Sequence, residues 1–180
     1  MLSGGLDSSG LTALAGREFQ HAGKTLNSYS IDFVDSAEHF HDQALRPSLD
    51  GPWVQRVSEH VGTQHHTIMV DTPELVEHLL VPMRAHDLPT IGQIETSRNR
   101  KKSAYPTSQH PAYLQAVSEW TLRILDSANE PVHALVNVAI VRAIAEGKAP
   151  FVSDDMVVSL CERVIQLNAW LKEYHVILSI

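Results

Sequence analysis

Seven residues at the start of the chain, Ser3-Gly4-Gly5-Leu6-Asp7-Ser8-Ser9, combine two glycines, three hydroxyls and one carboxylate. Glycine lets a backbone turn tightly and approach a ligand closely. Apolar residues at helical spacing follow at once, at Leu11, Leu14, Ala15 and Phe19. A small-residue loop that runs into a helix N-terminus is a ready anion site, because free N–H groups and the helix dipole converge there. A Walker-type loop would follow its glycines with Gly-Lys and a hydroxyl residue, but the first lysine here is Lys24. The loop therefore has to borrow positive charge from elsewhere in the chain or from a metal. The bland alternative is an ordinary turn capped by Asp7.

The chain has 180 residues, 43% of them hydrophobic, which suits one domain or slightly more and argues against disorder. Its net charge of −7 argues against nucleic-acid or anionic-membrane partners, although a local basic cluster can still hold phosphate. A single cysteine, Cys161, excludes an internal disulfide and a cysteine-rich zinc site. With no apolar run near the ~20 residues of a membrane helix and no leader-like N-terminus, a cytoplasmic location is expected.

The spacing predicts a helix over 8–22, stopped by Gly23, and a strand over 25–33. Residues 34–48 read as loop with a short helical turn. A helix is expected over 52–61, with Trp53, Val54, Val57 and Val61 on one side and Pro52 in its first turn. A second strand follows over 65–70, and then a helix beginning at Asp71-Thr72-Pro73 that Pro82 kinks or shortens. Beyond an abrupt basic stretch at 98–102, only helices are expected: 112–126, 131–146 and a last one capped by Ser153. Loop, helix and strand in this order suggest a βαβ unit of a parallel sheet. Only Met1 and Leu2 remain for the strand that should precede the loop. His65 and His66 adjoin on a strand and so point to opposite faces, which weakens a metal reading of the histidines.

The segments SGGLDSS, YSIDF, HHTIMVDTPELVEHL and DLPTIGQIETS, with the tail RNRKKSAYPTSQHPAY and the terminal LNAWLKEY, are spread along most of the chain's length, from Ser3 to Tyr174. Together they resemble the C-terminal synthetase domain of glutamine-hydrolysing asparagine synthase, a member of the ATP pyrophosphatases, which carry a pyrophosphate loop. The resemblance implies an α/β fold, an incomplete parallel sheet of the adenine-nucleotide alpha hydrolase type followed by an all-helical tail. It implies a nucleotide-binding part over 1–97 and a helical part of the same domain over 98–180. It also implies a reaction, in which ATP adenylates the side-chain carboxylate of aspartate, pyrophosphate leaves, and ammonia displaces AMP to give asparagine. ATP and Mg2+ are the implied cofactors. The backbone of Ser3, Gly4, Gly5, Leu6, Asp7, Ser8 and Ser9 would hold pyrophosphate, with Asp7 as a metal ligand. Leu2 and Ile31 match positions that touch the adenine nucleoside. Lys102, with Arg100 before it and Tyr105 after it, matches the basic residue beside the phosphates and is the catalytic candidate; the alternative is a solvated basic face.

The chain also departs from the family. An N-terminal glutaminase with its cysteine nucleophile is not present before the loop, so nitrogen is expected as free ammonia or from a separate glutaminase. The acidic SGE-x-x-DE and GGY motifs expected soon after IETS are replaced by the basic tail, as if a block of roughly a hundred residues were deleted from a domain of ordinary size. Asp7, Asp32, Asp35 and Asp87 remain as carboxylates for a metal. Such a deletion should leave faces bare that a layered fold would bury. Three alternatives stand beside amide synthesis. One is a non-catalytic or degenerate nucleotide-binding remnant. Another is a relative that closes β-lactam or lasso-peptide rings. The third is a tRNA-thiolating enzyme, which a single cysteine disfavours.

Overall fold

The computed structural model describes residues 1–42, 48–89 and 108–178. The chain is mixed α/β and forms two compact units, Met1–Asp71 and Thr72–Ile180. The change expected at 97/98 lies outside the described residues.

In the first unit, α1 spans Leu6–His21, β1 Asn27–Phe33, α2 Ser36–His39, α3 Gly51–Val61 and β2 Gln64–Val70. The strands pair in parallel, Asn27 opposite Gln64 through Phe33 opposite Val70. The missing first strand survives as one rung: the Leu2 N–H donates to the Tyr29 carbonyl at 2.7 Å. Helix α1 ends because Gly23 adopts φ 66°, and the Lys24 and Gly23 amides fold back onto the Phe19 and Gln20 carbonyls at 2.9 and 3.0 Å.

Helix α1 meets α3 through Gly16, not through the apolar stripe that the spacing predicts. A Cβ at Gly16 would stand 2.3 Å from Val61 Cγ1. Leu11 and Leu14, which stand at helical spacing, are 70% and 56% exposed. Helix α3 covers the β-face that carries Ser28 and Ser30 with a polar seam. Thr63 Oγ1 lies 2.8 Å from both Ser58 Oγ and Ser28 Oγ, and His65 Nδ1 and Nε2 lie 2.8 and 3.0 Å from Ser28 Oγ and Ser30 Oγ. Burial, and then the neighbouring His66, hold the His65 imidazole below its ordinary pKa. On the other face Tyr29 stacks on His66 at 5.0 Å, and Tyr29, Ile31 and Ile68 remain 43–48% exposed. The two histidines thus point to opposite faces, as alternation on a strand requires. Among the described residues of this unit, the buried apolar side chains are Leu2, Val54 and Val61.

The second unit holds α4 (Thr72–Glu77), α5 (Val81–His86), α6 (Pro111–Asp126), a 3-10 turn (Pro131–Ala134), α7 (Val138–Ala145) and α8 (Asp154–Glu173). The helix predicted from Asp71 breaks after Glu77 and restarts with Pro82 in the first turn of α5, where its missing N–H costs nothing. The single helix predicted over 131–146 is also divided. Asn137 Oδ1 accepts from the Ile140 N–H and starts a new helix, so the preceding turn stays 3-10. Ser153 stands at the N-cap of α8, but its hydroxyl makes no cap bond. Helices α6 and α8 build the core from Tyr113, Val117, Ile124 and Leu125 against Val157, Cys161, Val164 and Ile165. Cys161 is buried there as a free thiol, and burial raises its pKa.

One carboxyl sits at the margin of this core. Glu162 accepts from the Tyr113 hydroxyl at 2.6 Å, and burial raises its pKa despite that bond. A carboxyl whose folded pKa lies above its unfolded value favours the fold when protonated, and that contribution is lost as pH rises through the folded pKa. Glu162→Gln keeps an acceptor for Tyr113 and removes the titration. The variant is therefore expected to gain stability relative to the parent as pH goes from 4 to 7, read from urea midpoints across that range; a constant difference would contradict it.

Candidate anion site at the first helix N-terminus

The loop 3–9 leaves the Leu2 rung at the carboxyl end of the short sheet, where α/β folds receive ligands. Gly4 takes φ 72°, a conformation that L side chains rarely adopt, and a Cβ there would meet Trp53 Cβ at 2.8 Å and the Asp50 carbonyl at 3.2 Å. Glycine is therefore required at this position twice over. Gly5 differs. Its backbone is extended at φ −76°, and an added Cβ would meet only Ser3 Oγ, at 3.5 Å. The turn needs Gly4; what Gly5 provides is room above the helix end.

Hydroxyls tie the loop together. Ser8 Oγ accepts from the Ser3 N–H at 3.2 Å, lies 3.0 Å from Ser3 Oγ and donates to the Gly5 carbonyl at 3.1 Å. Ser9 Oγ donates to the same carbonyl at 2.7 Å. The Ser3 amide is thus consumed. The next hydrogen-bonded amide is Ser9, which donates to Gly5 O at 3.0 Å as the first α-helical bond. Gly4, Gly5, Leu6, Asp7 and Ser8 donate no backbone hydrogen bond to the described residues. That is a run of five consecutive donors at the positive end of a sixteen-residue helix. Asp7 lies in the first turn and is not the cap; Gly5 occupies that position without a side-chain bond.

Sequence reasoning missed what backs the loop. The N-terminal turn of α3 presses on Gly4, so two helix N-termini meet at this end of the sheet. The Arg56 guanidinium lies 5.1 Å from the centroid of the Trp53 ring, and Trp53 Nε1 donates to Ser48 Oγ at 3.0 Å. Arg56 therefore brings a cation to the residue behind the loop. The signal was present as Gly51-Pro52-Trp53 followed by a basic residue one turn later. Trp53 is 48% exposed and serves as this backing.

The remaining candidates fall into three groups. Leu2 is buried, and its rung to the Tyr29 carbonyl sets it opposite Ser30, on the covered face of the sheet, whereas Ile31 alternates to the open face and is 47% exposed, so the structure does not bring these two side chains together. Asp32 accepts from the Phe33 N–H at 2.8 Å and Asp35 takes φ 58° before α2, while Asp87 belongs to the second unit and accepts from the Tyr174 hydroxyl at 2.5 Å. Arg100, Lys102 and Tyr105 lie outside the described residues. Among the described residues no group of three or more histidine, cysteine or carboxylate side chains is placed to hold a metal ion. None of the described helices is long and apolar enough to cross a membrane.

The sequence profile of the asparagine synthase family matches residues 1–99. Over 97 residues the chain is 40% identical to the asparagine synthetase (glutamine-hydrolyzing) 3 of Bacillus subtilis, a match that covers 53% of this chain and 16% of that protein. The chain thus spans about a sixth of the curated relative it matches. No solved structure matches.

Proposed function

The chain belongs to the asparagine synthase family, and from that premise we propose that it grips the pyrophosphate of ATP on the loop 3–9 as part of ATP-dependent amide synthesis. The observation that carries this is the run of five backbone donors, Gly4 to Ser8, that make no backbone hydrogen bond among the described residues and stand at a helix N-terminus. Such donors fit the non-bridging oxygens of a diphosphate and stabilise it most when it departs with its full charge. Carboxylate attack on the α-phosphorus then yields an acyl adenylate, and ammonia releases the amide and AMP. Aspartate is the proposed acceptor, and a separate glutaminase or free ammonia the nitrogen source. Mg2+, when bound, neutralises phosphate charge. Asp7 is the carboxylate on the loop itself, and one protein carboxylate together with phosphate oxygens is an ordinary ligand set for this ion. Leu2 and Ile31 would border the nucleoside, and Arg100 and Lys102 would add positive charge. The finer fold follows the same reading: a pyrophosphate-loop domain reduced to a parallel strand pair. A cytoplasmic location, where ATP and aspartate meet, belongs to it too.

One feature favours a second reading within the same site. The described residues supply a grip for the leaving group but no cluster of carboxylates for the metal, as a nucleotide-binding remnant would. The two readings separate on one assay. Pyrophosphate release from Mg-ATP that requires aspartate supports synthesis; ATP binding without turnover supports the remnant. In either case Gly5→Asp is expected to lower ATP affinity at least tenfold by calorimetry with little change in thermal stability. The open space at Gly5 accepts the side chain while its charge faces the phosphate. Unchanged affinity in that variant would move the site elsewhere.

A further inference from the structure

A phosphate loop without a lysine of its own needs positive charge from another part of the fold, and α3 brings one. Trp53 stands in the first turn of α3, and its Cβ lies 2.8 Å from where a Cβ on Gly4 would be. The bond from its Nε1 to Ser48 Oγ at 3.0 Å fixes the indole. Arg56 follows three residues later, ~4.5 Å along the axis at 1.5 Å per residue. Helical side chains lean toward the N-terminus of their helix, so Arg56 reaches back toward the loop, and its Cζ rests 5.1 Å from the centroid of the Trp53 ring. Glu59, the next carboxylate along α3, accepts from Gln55 at 2.8 Å instead, and Arg56 makes no salt bridge among the described residues.

We propose that Arg56 is a binding residue for pyrophosphate, leaving the Trp53 ring to fork onto the phosphate group that the loop amides do not hold. The proposal rests on the loop 3–9 being the anion site. Amides at one helix end converge on one place, whereas pyrophosphate carries two charged groups. Two carboxylates at this end of the unit oppose the second group: Asp7 in the first turn of α1, and Asp32, whose Oδ2 lies 4.0 Å from where a Cβ on Gly51 would be. Holding it therefore takes a cation. A guanidinium suits the task, because its planar fork offers two parallel donors to two oxygens of one phosphate. Its present contact is easily given up, since an exposed cation on an aromatic face is held weakly. Trp53 thus keeps the cation on the loop side of α3 until an anion arrives.

Calorimetric titration of the full chain with inorganic pyrophosphate and with orthophosphate tests the role. Arg56→Gln is expected to weaken pyrophosphate about 10- to 100-fold, the span of hydrogen bonds to a charged group. Orthophosphate, held by the amides alone, should lose only about threefold, as from a screened charge that makes no contact. Arg56→Lys keeps the charge without the fork and should fall between parent and Arg56→Gln for pyrophosphate. Equal losses for the two anions would make Arg56 part of the scaffold, and unchanged affinity for both would leave it on the ring; either result overturns the proposal. Gly5→Asp separates this proposal from the loop itself. If Gly5→Asp weakens pyrophosphate and Arg56→Gln does not, the loop stands and the role of Arg56 falls. A parent chain that binds no pyrophosphate overturns both.

Discussion

Gly4→Ala should abolish measurable pyrophosphate binding, while Gly5→Ala should leave it within a few-fold of the parent. The two glycines are adjacent in sequence and differ in what surrounds them. At Gly4 the backbone is left-handed, and a methyl group would sit 2.8 Å from Trp53 Cβ, 3.2 Å from the Asp50 carbonyl and 3.3 Å from the Val54 nitrogen. Two of those three neighbours are backbone at the start of α3, so they do not move aside as a flexible side chain would. The left-handed conformation alone costs a non-glycine residue about 1–2 kcal/mol. Relief requires the loop to swing away from α3, which takes the Gly4 and Gly5 amides out of line with Leu6 to Ser8. An array of donors binds a diphosphate through its geometry, and a displacement near 1 Å is enough to cost about a hundredfold. At Gly5 the methyl group meets only Ser3 Oγ at 3.5 Å, an ordinary contact. Calorimetric titration with inorganic pyrophosphate on both variants reads the difference. Equal losses at the two positions would show that glycine content, not the Gly4 turn, makes the site.

The sequence exposes some of this and hides the rest for physical reasons. The loop, α1 and the strand pair are legible because each is written locally: glycines and hydroxyls before an apolar-periodic run, then Gly23 as a stop, then alternation. The division of 71–86 was legible from Pro82 because the ring dictates the break wherever it falls. The division at Asn137 was not. Its cap bond to Ile140 looks like any polar residue in a helix until the turn before it is known to be 3-10.

The side of α1 that is buried was misread for a different reason. Leu11, Leu14 and Phe19 have the spacing of a core face, yet the contact with α3 runs through Gly16, and the leucines stay in solvent. Sequence periodicity reports which face has something to bury, not whether a partner is there to bury it. The same holds for Tyr29, Ile31 and Ile68 on the open side of the sheet. At the site, Trp53 comes to Gly4 from 49 residues away in sequence and carries Arg56 on its ring, a placement that only the crossover between the strands can make.

A unit with so few buried apolar side chains depends heavily on each close contact it has, and Gly16→Val should therefore be the most damaging single change in the first unit. The α1–α3 contact is set by a glycine against a valine: a Cβ at position 16 lands 2.3 Å from Val61 Cγ1, far inside contact distance. Val61 cannot rotate away cheaply, because a β-branched side chain in a helix has one strongly preferred rotamer. The helices must separate, and Gln20 Nε2 then loses the Val61 carbonyl that it now holds at 2.9 Å. Overpacking costs about 1–3 kcal/mol, and the lost side-chain bond adds about 1 kcal/mol. Against the stability of a small domain, about 5 kcal/mol at the low end, that is a large share of what holds the unit together. Amide exchange in α1, α3 and β1 should accelerate by about 30- to 1000-fold, since each 1.4 kcal/mol is a factor of ten. A double-mutant cycle isolates the cause. Gly16→Ala and Val61→Ala each destabilise the contact, one by crowding and one by leaving a cavity. Together they exchange which helix contributes the bulk, so the double variant should be more stable than the sum of the two by about 1–3 kcal/mol. Additive losses would mean that α1 and α3 are held by something other than the fit of this glycine to this valine.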